Sequence, residues 1–344
     1  MIKSFFQEYI FNVYSVNLRI NIKRFNSNEG FLSMSKTILL TGATGFVGSA
    51  LLKTLSMKSG RVIKSVIRRS ADSNNTSFYE VGPINAETDY SAVISNTDIV
   101  IHCAAYAHVA KKNIDGSSQF RVVNTDGTIN LAYQAAQAGV KRFIFLSSIV
   151  VNGISSKASF TAFDTPEPVE GYPLSKLEAE IGLRRIAEET GMEVVIIRPP
   201  LVYGPNAPGN FGKLSKLVEK NFPLPLGAIH NKRSFVGLDN LVDLIITCID
   251  HPNAANQTFL VSDDHDVSTT ELLTRMIKAT GKKPWLLPVP IYLFRLVGKM
   301  TGKIVEIDLL CGNLQVDISH TKKTLEWTPP ISFDDGISKC FSKE

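Results

Sequence analysis

The chain has 344 residues, of which 44% are hydrophobic, so it can bury a large core and exceeds one average domain. Its 37 Lys and Arg residues against 32 Asp and Glu residues give a net charge of +5, and no long basic run favours nucleic-acid binding. Four widely spaced cysteines predict no metal site and a reduced, cytoplasmic setting, and no apolar run approaches the roughly 20 residues of a membrane span.

Residues 1–33 differ in composition from the rest of the chain. They are rich in Phe, Asn and Ile, and they lack the apolar region and the small-residue cleavage site of a signal peptide. Met34 then precedes the first strand-like run. We predict that residues 1–33 are a poorly ordered extension outside the fold, with a targeting or membrane-surface role as the alternative.

From Lys36 onward, strand patterns alternate with helix patterns. Helical spacing covers residues 49–57, 124–138 and 174–190. The predicted strands are KTILL (36–40), RVIKSVIR (61–68), DIVIHC (98–103), KRFIFLS (141–147) and EVVIIR (193–198). Because strands separated by such helices form βαβ units, the sequence predicts an α/β fold with a doubly wound parallel sheet of the Rossmann type.

A glycine-rich loop, TGATGFVG, follows the first strand and opens the first helix. Gly42 permits a tight turn, Gly45 lets the backbone approach a pyrophosphate, and Gly48 lets helix and strand pack closely. The N-terminus of the helix favours an anion at the same place. We therefore predict that this loop, with Thr44, Phe46 and Val47, binds the pyrophosphate of a nicotinamide dinucleotide.

The end of the second predicted strand indicates which dinucleotide is used. An acidic residue there would bind the ribose 2′-hydroxyl, whereas an arginine accommodates a 2′-phosphate. The chain has Arg68 and Arg69 at this position and no acid. We predict NADP, or use of both cofactors, in preference to NAD; the alternative is that both arginines are solvated surface charges.

Tyr172 and Lys176 form a YxxxK pair at the start of a predicted helix, where the four-residue spacing places both on one face. A cation beside a phenol favours the phenolate and lowers the phenol pKa from about 10. Ser148 follows a strand and can hold a substrate oxygen. We predict Ser148, Tyr172 and Lys176 as catalytic residues, with Tyr172 and Lys176 also contacting the cofactor.

Three further polar residues are given no chemical role. Asn124 begins a predicted helix, where it either caps the N-terminus or binds water through its backbone. His102 and His108 flank the strand at 98–103, and lone histidines are more often packed or solvated than catalytic.

After Pro199 the pattern changes, because Pro and Gly become frequent and short strands mix with helices. We predict a NAD(P)-binding domain over residues 34–198 and a smaller mixed α/β region over residues 199–344 that mainly binds substrate. The apolar run from Pro290 to Val297 is interpreted as a core helix or its start.

In chain order, TGATGFVG, IHCAA, VNTDGT, LSS, YPLSK and RPPLVYGP resemble the extended short-chain dehydrogenase/reductase family. Within it, SSIVVNG, PLPLG and KRSFVGLDNLVD look most like the NAD-dependent epimerase/dehydratase group around UDP-glucose 4-epimerase. The likeness is strongest to bacterial enzymes that act on N-acetylated sugar nucleotides for surface polysaccharide. It implies a nucleotide-diphosphate sugar as substrate, a homodimer, and contacts of Ala104 and Ala105 with the cofactor.

The same resemblance implies substrate-binding roles after residue 199. Arg233, in KRSFV, matches an arginine that grips the UDP phosphates, and its guanidinium fork suits a diphosphate. Asn210 and Phe211 match positions near the nucleotide. Leu226, within residues 225–227, is expected to hold the uracil through backbone groups.

Several departures from the family pattern bear on the reaction. Pro83 replaces an aspartate beside the adenine, Pro200 replaces a substrate-binding asparagine of 4-epimerases, and GNLQVD lacks a second C-terminal arginine. The last two weaken a plain UDP-glucose 4-epimerase, and the pair Arg68 and Arg69 favours a reductase that consumes NADPH. We predict reduction of a UDP-4-keto-6-deoxy-N-acetylhexosamine to UDP-N-acetylquinovosamine. The alternatives are a UDP-glucose or UDP-N-acetylglucosamine 4-epimerase, and a non-catalytic dinucleotide-sensing protein.

Overall fold

A parallel sheet forms the centre of the computed structural model, which describes residues 35–58, 60–68, 78–107 and 116–342. The extension predicted over residues 1–33 lies outside the described residues. Seven strands follow the order β3-β2-β1-β4-β5-β6-β9, and β7 and β8 form a separate parallel pair. The strands are β1 (Lys36–Thr41), β2 (Arg61–Ile67), β3 (Phe78–Glu80), β4 (Ile99–His102), β5 (Arg142–Leu146), β6 (Glu193–Arg198), β7 (Leu201–Tyr203), β8 (Phe235–Gly237) and β9 (Thr258–Leu260).

Helices cover both faces of this sheet, so the predicted Rossmann fold is confirmed. A π-helical turn, Arg121–Asp126, joins α3 to α4, and short 3₁₀ turns lie at Ile149–Val151 and Pro252–Ala254. The helices are α1 (Phe46–Ser56), α2 (Ser91–Ile94), α3 (Gly116–Phe120), α4 (Gly127–Gln137), α5 (Tyr172–Thr190), α6 (Gly209–Lys220), α7 (Leu238–Asp250), α8 (Thr269–Ala279), α9 (Ile291–Thr301), α10 (Ile304–Cys311), α11 (Ser319–Leu325) and α12 (Phe333–Lys339).

The five strands predicted from the sequence are β1, β2, β4, β5 and β6 of the central sheet. The apolar runs of β1, β4, β5 and β6 are continuous because helices cover both faces of a parallel sheet. In β1, Ile38, Leu39 and Leu40 are fully buried although they point alternately to opposite faces. The carboxyl ends of these strands all lie at one edge, where the chain turns into the loops that carry the predicted site.

The sheet extends beyond the boundary predicted at residue 198. Strand β9 pairs with β6 through Ile196↔Thr258, Ile197↔Phe259 and Arg198↔Leu260. Helix α7 packs against α1, and its buried residues belong to the same apolar cluster as β1. Residues after 199 therefore complete the central sheet and also form a separate apolar cluster around β7, β8, α6 and α8.

Helix α9 confirms the helix predicted from Pro290, but its expected place in the core is wrong. Tyr292 is 68% exposed, Leu296 55% and Met300 80%. Only one side of the helix packs inward, through Ile291, Phe294 and the buried Gly298. Among the described residues, no helix is long and apolar enough to cross a membrane.

A buried ion pair joins α5 to the end of β6. Glu180 is fully buried, and Arg198 donates to both of its carboxylate oxygens, from Nε at 2.9 Å and Nη2 at 2.5 Å. Ser147 Oγ, which follows β5, donates to Glu180 Oε1 at 2.5 Å. Arg198 Nη1 also donates to Asn152 Oδ1 at 2.9 Å, in the loop after Ser148. One carboxylate thus positions a helix, two strand ends and a loop.

The Glu180→Leu variant is expected to lose about 3–5 kcal/mol of unfolding free energy, because it leaves the Arg198 guanidinium buried without a counter-charge. The double variant Glu180→Leu/Arg198→Leu should lose less, since it removes both charges. Urea unfolding followed by circular dichroism measures both, with Glu188→Leu on the exposed side of α5 as the matched control. If Glu180→Leu proved as stable as the control, Glu180 would not be the counter-charge that stabilises buried Arg198.

Candidate active site

The glycine loop has the close packing that its spacing predicts. Gly42 has a φ of +73°, and a Cβ there would lie 2.7 Å from the Ala104 nitrogen. A Cβ on Gly48 would lie 2.0 Å from the Gly42 carbonyl oxygen, and Gly45 N–H donates to that oxygen at 2.9 Å. The loop after β1 therefore lies against the loop after β4, and a larger residue at Gly42 would separate them, whereas one at Gly48 would push α1 away from the glycine loop.

Helix α1 opens directly from this loop. Gly45 occupies its N-cap position, and no side chain among the described residues caps the helix there. The first N–H groups of α1, and the positive end of its dipole, are left to face an anionic ligand. Thr44 is exposed beside them, while Phe46 and Val47 are half-buried. These residues fit the pyrophosphate of a dinucleotide, as the sequence predicts.

His102, at the end of β4, has a structural position. Its Nδ1 lies 2.7 Å from Thr41 Oγ1 and its Nε2 lies 3.0 Å from Thr128 Oγ1. Because Thr128 uses its own proton to bond the Asn124 carbonyl, the imidazole donates through Nε2 and accepts through Nδ1. Burial, with a smaller effect of the Lys176 charge, lowers the pKa of His102 to about 3. The neutral ring joins β1, β4 and α4.

Asn124 connects the loop after β4 to helix α5. It lies within the π-helical turn, so the N-cap role that the sequence suggested as one alternative is wrong. Its Oδ1 accepts from Tyr106 N–H at 2.7 Å, and its Nδ2 donates to Tyr106 O at 3.1 Å and to Ser175 Oγ at 3.0 Å. Ser175 in turn donates to Tyr172 O at 2.8 Å. The loop containing Ala104 and Ala105 is thereby held against the first turn of α5.

Ser148 lies at the end of β5, where extended backbone gives way to the 3₁₀ turn Ile149–Val151. Its neighbours are fixed by the adjacent strand, because Ser147 N–H donates to Ile197 O and Ile149 N–H donates to Pro199 O. The Ser148 hydroxyl lies near the Tyr172 phenol and acts to lower the phenol pKa. The structure therefore brings together Ser148 and Tyr172, which lie 24 residues apart in the sequence.

The pKa of Tyr172 differs from the expectation. Burial raises it to about 12, and the nearby Ser148 hydroxyl only partly opposes this effect. The predicted lowering by Lys176 is wrong for the protein without ligands. The ring of Phe120 packs edge-on to Tyr172 with 6.0 Å between centroids, which adds to its desolvation.

Lys176 is almost completely buried one turn further along α5. Its Nζ donates to Leu146 O at 2.8 Å and lies 4.3 Å from the centroid of the Phe145 ring. Burial lowers the pKa of this ammonium to about 8, although the charges of Cys103 and Glu180 oppose the shift. A lysine held under the carboxyl end of β5 is placed to donate hydrogen bonds to a ligand above it.

Apart from Ser148, the residues predicted to bind substrate lie after β7. They differ from one another in burial and in hydrogen-bond partners. Arg233 Nη1 donates to Leu309 O at 2.7 Å and to Gly312 O at 3.1 Å, and burial lowers the pKa of its guanidinium. The segment around Leu314 pairs with Arg233 on one side and with the loop at Phe160 on the other. The segment around Leu314 therefore lies between Arg233 and the loop that follows Ser148.

The other three candidates differ in exposure. Asn210 is exposed in the first turn of α6, where it can reach a ligand. Phe211 is buried against Tyr203, with ring centroids 5.5 Å apart, and its contact with the nucleotide stays a prediction. Leu226 has a buried side chain, its carbonyl accepts from Thr270 Oγ1, and the next N–H, of Gly227, donates to Leu287 O. Those two backbone groups therefore already have partners.

Comparison with known proteins agrees with this arrangement. The model of the NAD dependent epimerase/dehydratase family matches residues 38–262. Among curated proteins, a UDP-glucose 4-epimerase of Vibrio cholerae is 52% identical over 314 residues, which are 90% of this chain and 96% of that protein.

Two solved structures share the fold. A UDP-glucuronic acid 4-epimerase from Bacillus cereus, solved in complex with NAD, superposes with a TM-score of 0.72 at 21% identity, over 89% of this chain and 95% of that one. A UDP-glucose 4-epimerase from Thermotoga maritima, solved with UDP-glucose, gives a TM-score of 0.69 at 22% identity, over 89% and 97% of the two chains.

The fold and the site thus define an extended short-chain dehydrogenase/reductase. The chain belongs to the NAD dependent epimerase/dehydratase family, an enzyme family, as the family model and the identity to the Vibrio cholerae protein show. The family resemblance inferred from the sequence is confirmed.

The burial of Lys176 makes stability depend on pH in a predictable direction. Its folded pKa of about 8 lies below the ordinary value of 10.5, so between these values the unfolded chain binds more protons and stability rises with pH. Replacing Lys176 by Met removes this contribution. From pH 7 to pH 10.5, the wild type should therefore gain up to about 3 kcal/mol relative to Lys176→Met.

Chemical unfolding of both proteins at a series of pH values measures this difference. Lys53→Met, at an exposed position on α1, is the control and should follow the wild type throughout. Parallel curves for the wild type and Lys176→Met would show that the ammonium is not desolvated.

Proposed function

We propose that the protein is a UDP-sugar 4-epimerase, which inverts the configuration of a UDP-hexose or UDP-N-acetylhexosamine at C4. The observation that carries the proposal is the identity to the Vibrio cholerae UDP-glucose 4-epimerase along nearly its whole length. Ser148, Tyr172 and Lys176 support it, because they provide the proton transfer that such a reaction requires. The comparisons favour this alternative over the 4-ketoreductase predicted from the sequence departures.

The chain's own groups handle the proton while bound NAD supplies reversible hydride transfer at C4. In the forward half-reaction, Tyr172 as the phenolate takes the proton of the C4 hydroxyl and becomes the neutral phenol, and Ser148 donates a hydrogen bond to the same oxygen. After the 4-ketosugar has turned over, Tyr172 returns the proton to the C4 oxygen and is left as the phenolate again. Lys176 orients the ribose of the cofactor and stabilises the phenolate when both groups are charged.

The elevated pKa of Tyr172 suits one half of this cycle in particular. A phenol with a pKa near 12 keeps its proton at neutral pH and is ready to donate to a ketone oxygen. To act as a base, it depends on the Ser148 hydroxyl, which lowers its pKa, and on the cation at Lys176. A ligand that brings a further positive charge close to the phenol would also lower its pKa.

The Tyr172→Phe variant should lose about 10²–10⁴-fold in kcat, because it lacks the proton donor and acceptor. The assay incubates the purified enzyme with UDP-galactose and with UDP-N-acetylgalactosamine, and separates each sugar nucleotide from its C4 epimer by chromatography. Tyr133→Phe, a half-exposed tyrosine on α4, is the matched control and should retain activity.

If Tyr172→Phe still binds the cofactor, it is folded, and its loss of activity is a defect in the chemical step. Absence of any C4 epimer from the wild type would reject the epimerase. NADPH oxidation with UDP-2-acetamido-2,6-dideoxy-xylo-hexos-4-ulose would then support the reductase interpretation. If only UDP-N-acetylgalactosamine were converted, the substrate class would be UDP-N-acetylhexosamines.

We propose NAD as the resident cofactor. An epimerase makes no net redox change, so the argument that a reductase draws on NADPH no longer applies. Arg68 is exposed just after β2, and Arg69 lies outside the described residues. NADP selection at this position would require an arginine that holds the 2′-phosphate.

Replacing Arg68 by Ala should therefore change the Kd for NAD by less than about twofold, since NAD carries no 2′-phosphate with which the guanidinium could pair. Isothermal titration with NAD and NADP measures this, with Lys58→Ala as the control for loss of one surface charge. If NADP binds more tightly than NAD to the wild type and the variant reverses the order, the NADP preference is correct instead. The homodimer expected from the resemblance stays a prediction.

A further inference from the structure

One segment of the chain has an unusual charge. Residues 282–303 contain no acidic residue and carry five positive charges, the same number as the net charge of the whole protein. These charges belong to Lys282, Lys283, Arg295, Lys299 and Lys303, all of which are exposed. We call residues 282–303 the basic apolar segment.

The same segment exposes large apolar side chains. Within the eleven residues of α9, Tyr292, Leu293, Leu296, Val297 and Met300 are all exposed. Trp285 and Leu287 are exposed in the stretch that precedes the helix. A cluster of this size exceeds the scattered apolar residues of an ordinary surface and points to an interaction site.

The inner side of α9 explains why these residues face outward. A Cβ on Gly298 would lie 2.9 Å from Ile307 Cγ1, so the glycine lets α9 pack tightly on α10. Ile291 and Phe294 pack against the apolar cluster of the second region. The helix is therefore fixed in place, and its outer apolar side is a stable feature of the surface.

We propose that the basic apolar segment docks this protein onto an anionic lipid bilayer. A helix that combines exposed Leu, Val, Met and Tyr with Lys and Arg on a fixed support can lie in the headgroup region with its apolar side inserted. The cations are attracted to anionic headgroups, and the aromatic rings of Trp285 and Tyr292 suit the membrane–water boundary.

A second copy of the chain fits this surface less well. A two-fold interface would bring the same patch of both copies together, and hence face five positive charges with five positive charges. Within the segment, only Arg295 has an acidic partner among the described residues, Asp308 at 3.6 Å. An anionic membrane complements the charge that a second copy would repel.

Docking through this surface would place the candidate substrate region near the bilayer. Gly227 N–H donates to Leu287 O, in the basic apolar segment, and Arg233 Nη1 donates to Leu309 O, on the helix against which α9 packs. The inference is independent of the proposed reaction, because neither α9 nor its cations belong to the catalytic residues.

The test is co-flotation of the full-length purified protein with large unilamellar vesicles. One set contains phosphatidylglycerol and phosphatidylcholine, and the other contains phosphatidylcholine alone. We expect binding to the anionic vesicles that falls with added salt, and a partition coefficient at least about tenfold lower for Leu296→Ser/Val297→Ser/Met300→Ser. Lys299→Gln/Lys303→Gln should weaken binding to the anionic vesicles by about tenfold.

Matched controls lie on α1 and just after it. Met57→Ser removes an apolar side chain that is 73% exposed, and Lys53→Gln/Lys58→Gln removes two exposed charges; both should bind as the wild type does. All variants keep residues 1–33, so any contribution of those residues is the same in each. The activity of every variant on a UDP-sugar in the absence of vesicles should be unchanged.

Three results would overturn the proposal. The wild type could fail to float with anionic vesicles. It could float equally well with and without the α9 substitutions. The α9 variant could also change the oligomeric state in analytical ultracentrifugation while vesicle binding stays the same, which would assign this surface to a second copy.

Discussion

The position of helix α5, which carries the proposed catalytic residues Tyr172 and Lys176, depends on one buried carboxylate. Glu180 lies one turn beyond Lys176 and two turns beyond Tyr172, so the three share one side of α5. Its oxygens accept hydrogen bonds from Ser147 and Arg198, which fix α5 against the carboxyl ends of β5 and β6. Because a helix is rigid over two turns, fixing Glu180 also fixes the ammonium and the phenol. The cost of burying this ion pair is tolerable because every strong acceptor has a donor.

A second constraint acts from the cofactor side. Asn124 holds Tyr106 and Ser175 at once, so the loop after β4 cannot move without α5. The π-helical turn around Asn124 lets a side chain that an α-helix would direct elsewhere reach both partners, as such turns often do at functional sites. Glu180 and Asn124 thus support the catalytic helix from its two sides, although neither needs to touch the substrate.

The sequence predicts those features of the fold that follow from a single local cause, such as burial on both faces of a strand or the lack of space for a Cβ. The runs in β1, β4 and β6 are apolar because both faces are buried, and Gly42 and Gly48 are required because no Cβ fits beside them. Strands β3 and β9 have three residues each, too few for periodicity to show. The roles of Asn124 and Glu180 depend on partners about 50 and 18 residues away along the chain, which spacing within one helix cannot reveal.

The pKa of Tyr172 shows why motif chemistry cannot be completed from spacing alone. The YxxxK spacing correctly places a cation one turn away, but burial acts on both groups and opposes the charged form of each. Burial raises the pKa of the Tyr172 phenol and lowers that of the Lys176 ammonium, so the two approach the state in which neither is charged. A phenolate beside an ammonium becomes favourable only when a ligand supplies further hydrogen bonds or charge. In the proposed reaction, ligand binding would therefore establish the ion pair that the motif implies.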